Sequence, residues 1–412
     1  MKLDVNLCNN LKFVRTRLHL SQQDLANIIG VTRQTIGSLE SGQCVPSVAM
    51  CLHLAKALGC KVEDLFWLDE DFPEIEAIVA GSALEEQPSQ VTLARVGEQW
   101  IAYPLVGNDA FRMEMIPSDG ETLPVKKFAN ISQLSLASEI ALAQGLIKSS
   151  DGYFQDEAQS QFVRNKVVVR LLDDVEKLQN TVVIAGCTPV LSLLAKATER
   201  WHPRLRVHYR FAHSKKALRS LCRGEVHIAG MHLYDPQTGE YNVPFVRTAL
   251  AGKNAVLITL GVWQEGLLVP PENPMGIKTV ADLVEFGATT IVHEVGSGSR
   301  MLLERKLQEQ RVPFQAMKTF NHIAHNHQDV ALSVASGIVD AGISTASIAA
   351  TFGLGFIPLH HARYDLVILK EYLEQSPVQQ FLSILGHQLV RSQLEILGGY
   401  DISNIGEVIA NI

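Results

Sequence analysis

The run L-S-Q-Q-D-L-A-N-I-I-G-V-T-R-Q-T-I-G-S-L-E-S-G at residues 20–42 leaves the backbone few choices. Ser21 can cap a helix, with Asp24 reaching back from the first turn, and Thr32 can cap the next. Between them Gly30 supplies the left-handed conformation that ends the first helix, and Ala26 is small enough for the second to cross it closely. Leu25, Ile29, Val31, Ile36 and Leu39 then form an apolar side and leave Arg33, Gln34, Gly37 and Ser38 facing out. That outward face is a candidate recognition surface. Across residues 11–68, apolar residues recur at helical spacing in bursts divided by Gly30, Gly42, Pro46 and Gly59, which predicts one all-α unit of about five short helices.

The charge balance limits how such a surface can work. The chain of 412 residues carries a net charge of −7, and residues 1–70 hold seven Lys and Arg against seven Asp and Glu. No basic sheath is available, so DNA affinity has to come from a few placed donors and from dimerisation. Hydrophobic residues at 47% with charged residues at 19% fit compact domains, and the length calls for two or three of them. The six cysteines, Cys8, Cys44, Cys51, Cys60, Cys187 and Cys222, show no C-x-x-C spacing and read as reduced thiols. The start, MKLDVNLCNN, lacks a charged stretch followed by an apolar one, and no run of 18 apolar residues occurs. A cytoplasmic location without membrane contact is expected.

On these residues the N-terminal segment resembles the Cro/C1-type helix-turn-helix family, also called the XRE family, over about 60 residues. Matching positions include Gln22, Ala26, Gly30, Val31, Ile36, Glu40, Gly42, Pro46, Leu54 and Leu58. The resemblance implies a double-stranded DNA partner, with Gln22 on phosphate and Arg33, Gln34 and Ser38 at base edges in the major groove. It also implies an Arg15–Glu40 pair inside the fold. Thr32 and Thr35 belong to the same candidate surface, with helix capping as their other reading. Arg suits guanine and Gln suits adenine, each pairing being worth roughly 1–3 kcal/mol of discrimination. One such domain covers one half-site, so a homodimer is expected.

Beyond the helical domain (1–70), an acidic stretch with Pro73, Gly81 and Pro88 predicts a linker over 71–90, with room for a short helix around 75–79. Residues 91–178 alternate in short runs such as VTLARV and QWIAYPLV and predict a small β-rich segment. Within 154–178 the periodicity is ambiguous between a helix and a strand. From Thr181, apolar runs such as TVVIAG, EVHIAG and AVLITL alternate with helical stretches, which predicts an α/β architecture with mainly parallel strands over 179–412. Glycine-rich turns fall where strands should give way to helices: Gly186-Cys187-Thr188-Pro189, Gly230-Met231-His232 and Gly296-Ser297-Gly298-Ser299-Arg300. Free N–H groups and hydroxyls at such helix starts suit an anion or a hydroxyl-rich ligand.

The segments GCTPVLSLLA, GMHLYDPQTGEYN, QEGLLVPPENPMGI, VGSGSR and VASGIVDAG, in that order, resemble the type 2 periplasmic-binding-protein-like domain, whose relatives include molybdate- and phosphate-type binding proteins. The resemblance implies two α/β lobes with a ligand in the cleft between them. Thr188, His232, Ser297, Ser299 and Arg300 would line that cleft, with Asn242 and Asp340 near its edge. Cys187 reads equally as a ligand contact and as a small buried thiol. Related domains often carry Asn-Arg before the Gly-Ser-Gly turn, where this chain has His293 and Glu294. With Glu in the place of a cation, molybdate, tungstate, molybdopterin and other small metabolites all remain open as ligands.

The imidazoles of Asn321-His-Ile-Ala-His-Asn-His327 and His360-His361 fit no compact metal motif, and no nucleophile–base spacing or nucleotide loop stands out. No catalytic residue, cofactor or metal is therefore expected. The leading expectation is a transcription regulator whose operator binding responds to a small ligand. Two alternatives are a DNA-binding protein whose C-terminal domain is a dimerisation or interaction body without ligand, and an enzyme linked to molybdenum-cofactor metabolism.

Overall fold

The computed structural model describes residues 7–68, 73–81, 89–107, 115–123 and 166–412. They divide into two compact units, Met1–Pro73 and Glu74–Ile412.

In the first unit β1 (Leu7–Asn9) precedes four helices, α1 (Leu11–Arg17), α2 (Gln22–Ile29), α3 (Arg33–Glu40) and α4 (Val48–Leu58), and β2 (Phe66–Leu68) closes it. Both halves of the capping box form: Ser21 Oγ accepts from Asp24 N at 3.1 Å and the Asp24 carboxylate accepts from Ser21 N at 2.8 Å. Gly30 ends α2 at φ 74°, a conformation costly for residues with a Cβ. Leu11, Leu25, Ala26, Ile36, Leu39 and Leu54 make the core. The fifth helix expected within 11–68 is absent among the described residues. After Gly59, the Asp64 carboxylate takes the Lys61 N–H and Leu65 N bonds Val62 O, making turns. Phe66 and Trp67, aromatic and suited to strands, then pair antiparallel with Asn9 and Cys8.

The second unit begins with β3 (Glu74–Val79), β4 (Gln90–Val96), β5 (Gln99–Pro104), β6 (Gly120–Thr122) and β7 (Lys166–Leu171), closed as a barrel in the order β3-β5-β4-β6-β7. The helix expected around 75–79 is a strand instead. Glu74 and Glu76 face out while Ala77 and Val79 are buried, a period of two that only a strand can satisfy, and both edges of β3 are paired, with β7 and β5. Of the ambiguous stretch at 154–178, residues 154–165 lie outside the described residues, and the remainder holds β7 and the start of α5 (Val175–Gln179).

The chain continues through β8 (Thr181–Gly186), α6 (Pro189–Trp201), β9 (Arg206–Phe211), α7 (Ser214–Cys222), β10 (Ile228–Met231), α8 (Val243–Ala249) and the long β11 (Ala255–Val269). Then come α9 (Asp282–Glu285), β12 (Thr289–His293), α10 (Gly298–Glu309), β13 (Lys318–Ala324), α11 (His327–Ala335), β14 (Ala341–Thr345), α12 (Ala346–Phe352) and the equally long β15 (Gly355–Leu369). The final elements are α13 (Lys370–Leu373), α14 (Ser376–Ser383), α15 (Gln388–Leu397), β16 (Tyr400–Asp401) and β17 (Val408–Asn411).

The sheet order β13-β12-β14-β11-β15-β10-β8-β9 makes two lobes: parallel β9-β8-β10 on one side and parallel β13-β12-β14 on the other. The expectation of mainly parallel strands holds within each lobe and fails at their junction. There β11 carries the chain out to the second lobe and β15 brings it back, so the two run antiparallel over 15 residues each. β11 bulges between Thr259 and Gly261, where φ is 128° and an added Cβ would overlap Asp401 O. Each lobe has its own core, with Ile184, Leu191, Leu218 and Val367 central to the first and Leu267, Val292, Leu303 and Ile343 to the second. The barrel rests on the first lobe through Arg206–Asp119 at 2.6 Å and through Tyr103 OH donating to Glu225 O at 2.6 Å.

Candidate functional site

The candidate DNA surface lies on α3. Arg33 and Gln34 are exposed, and Thr35 and Ser38 are half-buried on the same helix. Behind them Arg15 Nε meets Glu40 Oε1 at 2.6 Å, the pair the resemblance implied, and Gln22 Nε2 donates to Glu40 Oε2 at 2.7 Å. Burial would raise the Glu40 pKa, but the hydrogen bonds from Arg15 and Gln22 outweigh it and hold the carboxyl below its usual range. The Gln22 carbonyl accepts from Arg33 Nε at 3.4 Å, so Gln22 links the buried pair to the exposed guanidinium. Thr32 caps α3, its Oγ1 accepting from Thr35 N at 3.1 Å and lying 2.8 Å from Thr35 Oγ1.

The second candidate site is a cleft of about 700 Å³ in the two-lobed domain. From the first lobe come Cys187, Ser192, Phe211, His213 and Lys216, and from the second Glu294, Asn326, His327 and Asp329. The starts of α6, α7 and α11 therefore open onto it. Asn326 caps α11 by accepting from Asp329 N at 2.8 Å, and Asp329 in turn accepts from His325 N. Glu294 lies 3.1 Å from His213 Nε2 and 3.4 Å from Lys216 Nζ, bringing an imidazole and an ammonium of one lobe against the other's carboxylate. The His213 contact has ion-pair distance without hydrogen-bond geometry, and Nε2 is otherwise unpartnered. Burial, then the neighbouring His293, His232 and Lys216, push the His213 pKa down to about 3, so it is neutral at physiological pH. His293 and His327, 5.4 Å apart between ring centroids, are likewise held neutral by burial.

At the floor of the cleft a second polar group is fully enclosed. Glu265, in the middle of β11, accepts from Ser299 Oγ at 2.9 Å and lies 3.5 Å from His232 Nδ1. At that separation the ring nitrogen has no hydrogen-bond partner, and the contact is electrostatic. Burial opposes charge on both groups and is outweighed: Cys187 and Glu265 raise the His232 pKa to about 10, and His232 lowers that of Glu265 to about 2. Tyr364 stacks on His232, and its hydroxyl accepts from Cys187 N at 3.2 Å. Trp263 packs edge-on against the same imidazole.

The residues expected to line a ligand site are therefore dispersed in role. His232 and Ser299 come together around Glu265, and Cys187 acts on His232. Thr188 is buried and caps α6 through Val190 N at 3.3 Å, beside a void of about 10 Å³, roughly one water in size. Ser297 caps α10 through Arg300 N at 3.2 Å. Asn242 is buried with Leu233 N and Asp365 as partners, Arg300 bonds Glu304 and lies over Phe314, and Asp340 accepts from Thr289 N. Glu265, His213 and Tyr364 are additions the sequence reading missed. Glu265 did leave a signal, as the sole charged residue in the strand AVLITLGVWQEGLLV. Among the described residues no group of three or more His, Cys, Asp or Glu is placed to hold a metal, and no helix is long and apolar enough to cross a membrane.

Comparison with known proteins bears on both units. Residues 11–65 match a helix-turn-helix family model, and residues 195–386 match that of the PBP superfamily domain. The chain is 31% identical over 228 residues to the uncharacterized protein YvgK of Bacillus subtilis (strain 168), spanning 55% of this chain and 73% of that one. It is 44% identical over 63 residues to YgzD, an uncharacterized HTH-type transcriptional regulator of the same organism, spanning 15% of this chain and 96% of that one. An uncharacterized HTH-type transcriptional regulator of Methanocaldococcus jannaschii matches at 43% over 63 residues, again 15% of this chain and 96% of that one. The chain thus belongs to the HTH-type transcriptional regulators and joins their DNA-binding domain to a domain of the PBP superfamily.

Proposed function

We propose that this regulator acts in the cytoplasm as a homodimer on a double-stranded DNA operator, and that a small molecule or oxyanion in the cleft sets its operator affinity. Arg33, Gln34 and Ser38 read base edges, Gln22 positions the helix on phosphate and aligns Arg33, and Thr32 and Thr35 hold the start of α3 against the backbone. The cleft carries the ligand half of the reading. Its volume of about 700 Å³ falls within the roughly 300–1,000 Å³ of small-molecule sites. Its walls offer Lys216, neutral imidazoles and three helix starts, donors suited to an anion or a hydroxyl-rich metabolite. Glu294 opposes a densely charged anion, so a metabolite with few charges fits better than a bare tetrahedral oxyanion. Regulation follows by linkage: a ligand that bridges the lobes favours one arrangement and shifts operator affinity only by its differential affinity for the two.

The test is a thermal-shift screen of the full-length protein against molybdate, tungstate, pterins and common metabolites, followed by operator binding with each hit. A ligand at about 100 times its Kd stabilises the native state by about 2.7 kcal/mol, a readable shift. A hit that also changes operator affinity supports the reading; silence across the panel favours a domain kept as a dimerisation body.

A further inference from the structure

Cys187 is the one cysteine among the described residues that lines the cleft. It is only 3% exposed, so its approach is through that opening. Cys187 and His232 follow the ends of the neighbouring parallel strands β8 and β10, and the imidazole lies 3.5 Å from the Glu265 carboxylate that the Ser299 hydroxyl also meets, all three side chains being buried. The packing of this row is tight: an added Cβ at Gly298 would overlap the His232 ring, so only glycine lets the start of α10 close over the imidazole. Tyr364 braces the row from the other side, stacked on His232 and bonded to the Cys187 backbone. A nucleophile beside a base that a third group orients is the arrangement that activates a side chain for covalent chemistry.

We infer that Cys187 is a nucleophilic thiol, paired with His232 and positioned by Glu265, which bonds reversibly to cleft ligands carrying an electrophilic carbonyl carbon. The inference rests on the cleft being a ligand site and names the class of ligand. An S–C bond forms as the C=O π bond opens; the carbonyl oxygen takes a proton from His232, and the thiol proton replaces it. The product is a thiohemiacetal, no further reactant is consumed, and the reverse steps release the ligand. His232 can serve as the proton donor because the Glu265 carboxylate 3.5 Å from it favours its protonated form despite burial. Glu265 touches no ligand in this scheme and acts as a positioning residue.

The test uses the intact full-length protein, iodoacetamide as the probe, and mass spectrometry of each cysteine. Alkylation forms an S–C bond, breaks the C–I bond and releases iodide. Exposed Cys44 is the internal reference. Cys187 is expected to react about tenfold faster than Cys44 despite its burial. Ser299→Ala and Glu265→Gln are expected to slow Cys187 severalfold and leave Cys44 unchanged, with Ser299→Ala the informative variant should Glu265→Gln fail to fold. Prior incubation with glycolaldehyde should protect Cys187, and dialysis should restore its reactivity. Slower alkylation of Cys187 than of Cys44, equal rates in the Ser299→Ala variant, or no protection by the aldehyde each overturns the inference. These rates need neither operator nor natural ligand, so their failure is distinguishable from failure of the regulatory reading, which operator binding tests.

Discussion

The exposed face of α3 and the floor of the cleft hold their polar groups under opposite conditions. Arg33 and Gln34 stand exposed on a single turn of helix, where the base contacts proposed for them would replace water. His232, Glu265 and Ser299 are each under 5% exposed and come from three different elements of the fold. Removing exposed Arg33 costs the fold only a long 3.4 Å hydrogen bond to Gln22, besides the contact proposed with DNA. Removing one member of an enclosed ion pair strands the other without water. Function should therefore be separable from stability on the recognition helix and inseparable from it at the cleft floor.

The sharpest way to break that contrast is Glu265→Ala, which leaves the His232 imidazolium buried and unpaired. A loss of about 3–5 kcal/mol of unfolding free energy is expected, against a smaller loss when both positions become Leu. The pair also sets a pH signature. His232, with its pKa raised to about 10, contributes in full below its unfolded value of 6.5 and fades as pH climbs through 10. Glu265, lowered to about 2, contributes in full above 4.5 and fades as pH falls through 2. Both contributions are complete only between pH 4.5 and 6.5, so denaturant titrations of wild type and double variant should differ most there. Equal small losses for the single and double variants would show the floor to be hydrated and the contrast unfounded.

Next in size comes the recognition face. Arg33→Ala and Gln34→Ala should each remove roughly 1–3 kcal/mol of discrimination at one operator position and leave the unfolding curve unchanged. Footprinting against single-base operator variants reads this directly. Unchanged operator preference would move base recognition off α3, and a large loss of stability would erase the separation claimed for this surface.

The same contrast explains how much was legible in the sequence. The helix-turn-helix is a local device: Ser21, Asp24, Gly30 and Thr32 act on neighbours within a few residues, and even the longer Arg15–Glu40 contact came with the family pattern. In the cleft domain Cys187, His232 and Ser299 could be singled out from their turns, because strand-to-helix junctions announce themselves. Glu265 stood out only as the lone charge in its strand, and its role depends on a partner 33 residues away that only the two-lobed topology brings near. Asn242, Arg300 and Asp340 sat in equally suggestive turns, yet their side chains are engaged by Asp365, Glu304 and Thr289. At β3 the acidic composition of Glu74 and Glu76 imitated a linker and hid a clean alternation.

Thr32 is the position where the two kinds of use overlap, and it gives the smallest and most discriminating effect. Its Oγ1 already accepts from Thr35 N and lies within hydrogen-bond distance of Thr35 Oγ1, so capping accounts for its local geometry. Thr32→Ala should lower stability by about 1 kcal/mol, the usual cost of a lost cap. Thr32→Asp restores a capping oxygen and suits the helix dipole, so its unfolding curve should match that of wild type. The added negative charge, however, would face phosphate if the start of α3 meets the DNA backbone. Operator affinity should then fall for Thr32→Asp while stability does not, and the deficit should not shrink when stability is matched. Wild-type operator binding by Thr32→Asp would mean that α3 approaches DNA by another edge, leaving Thr32 a cap and nothing more.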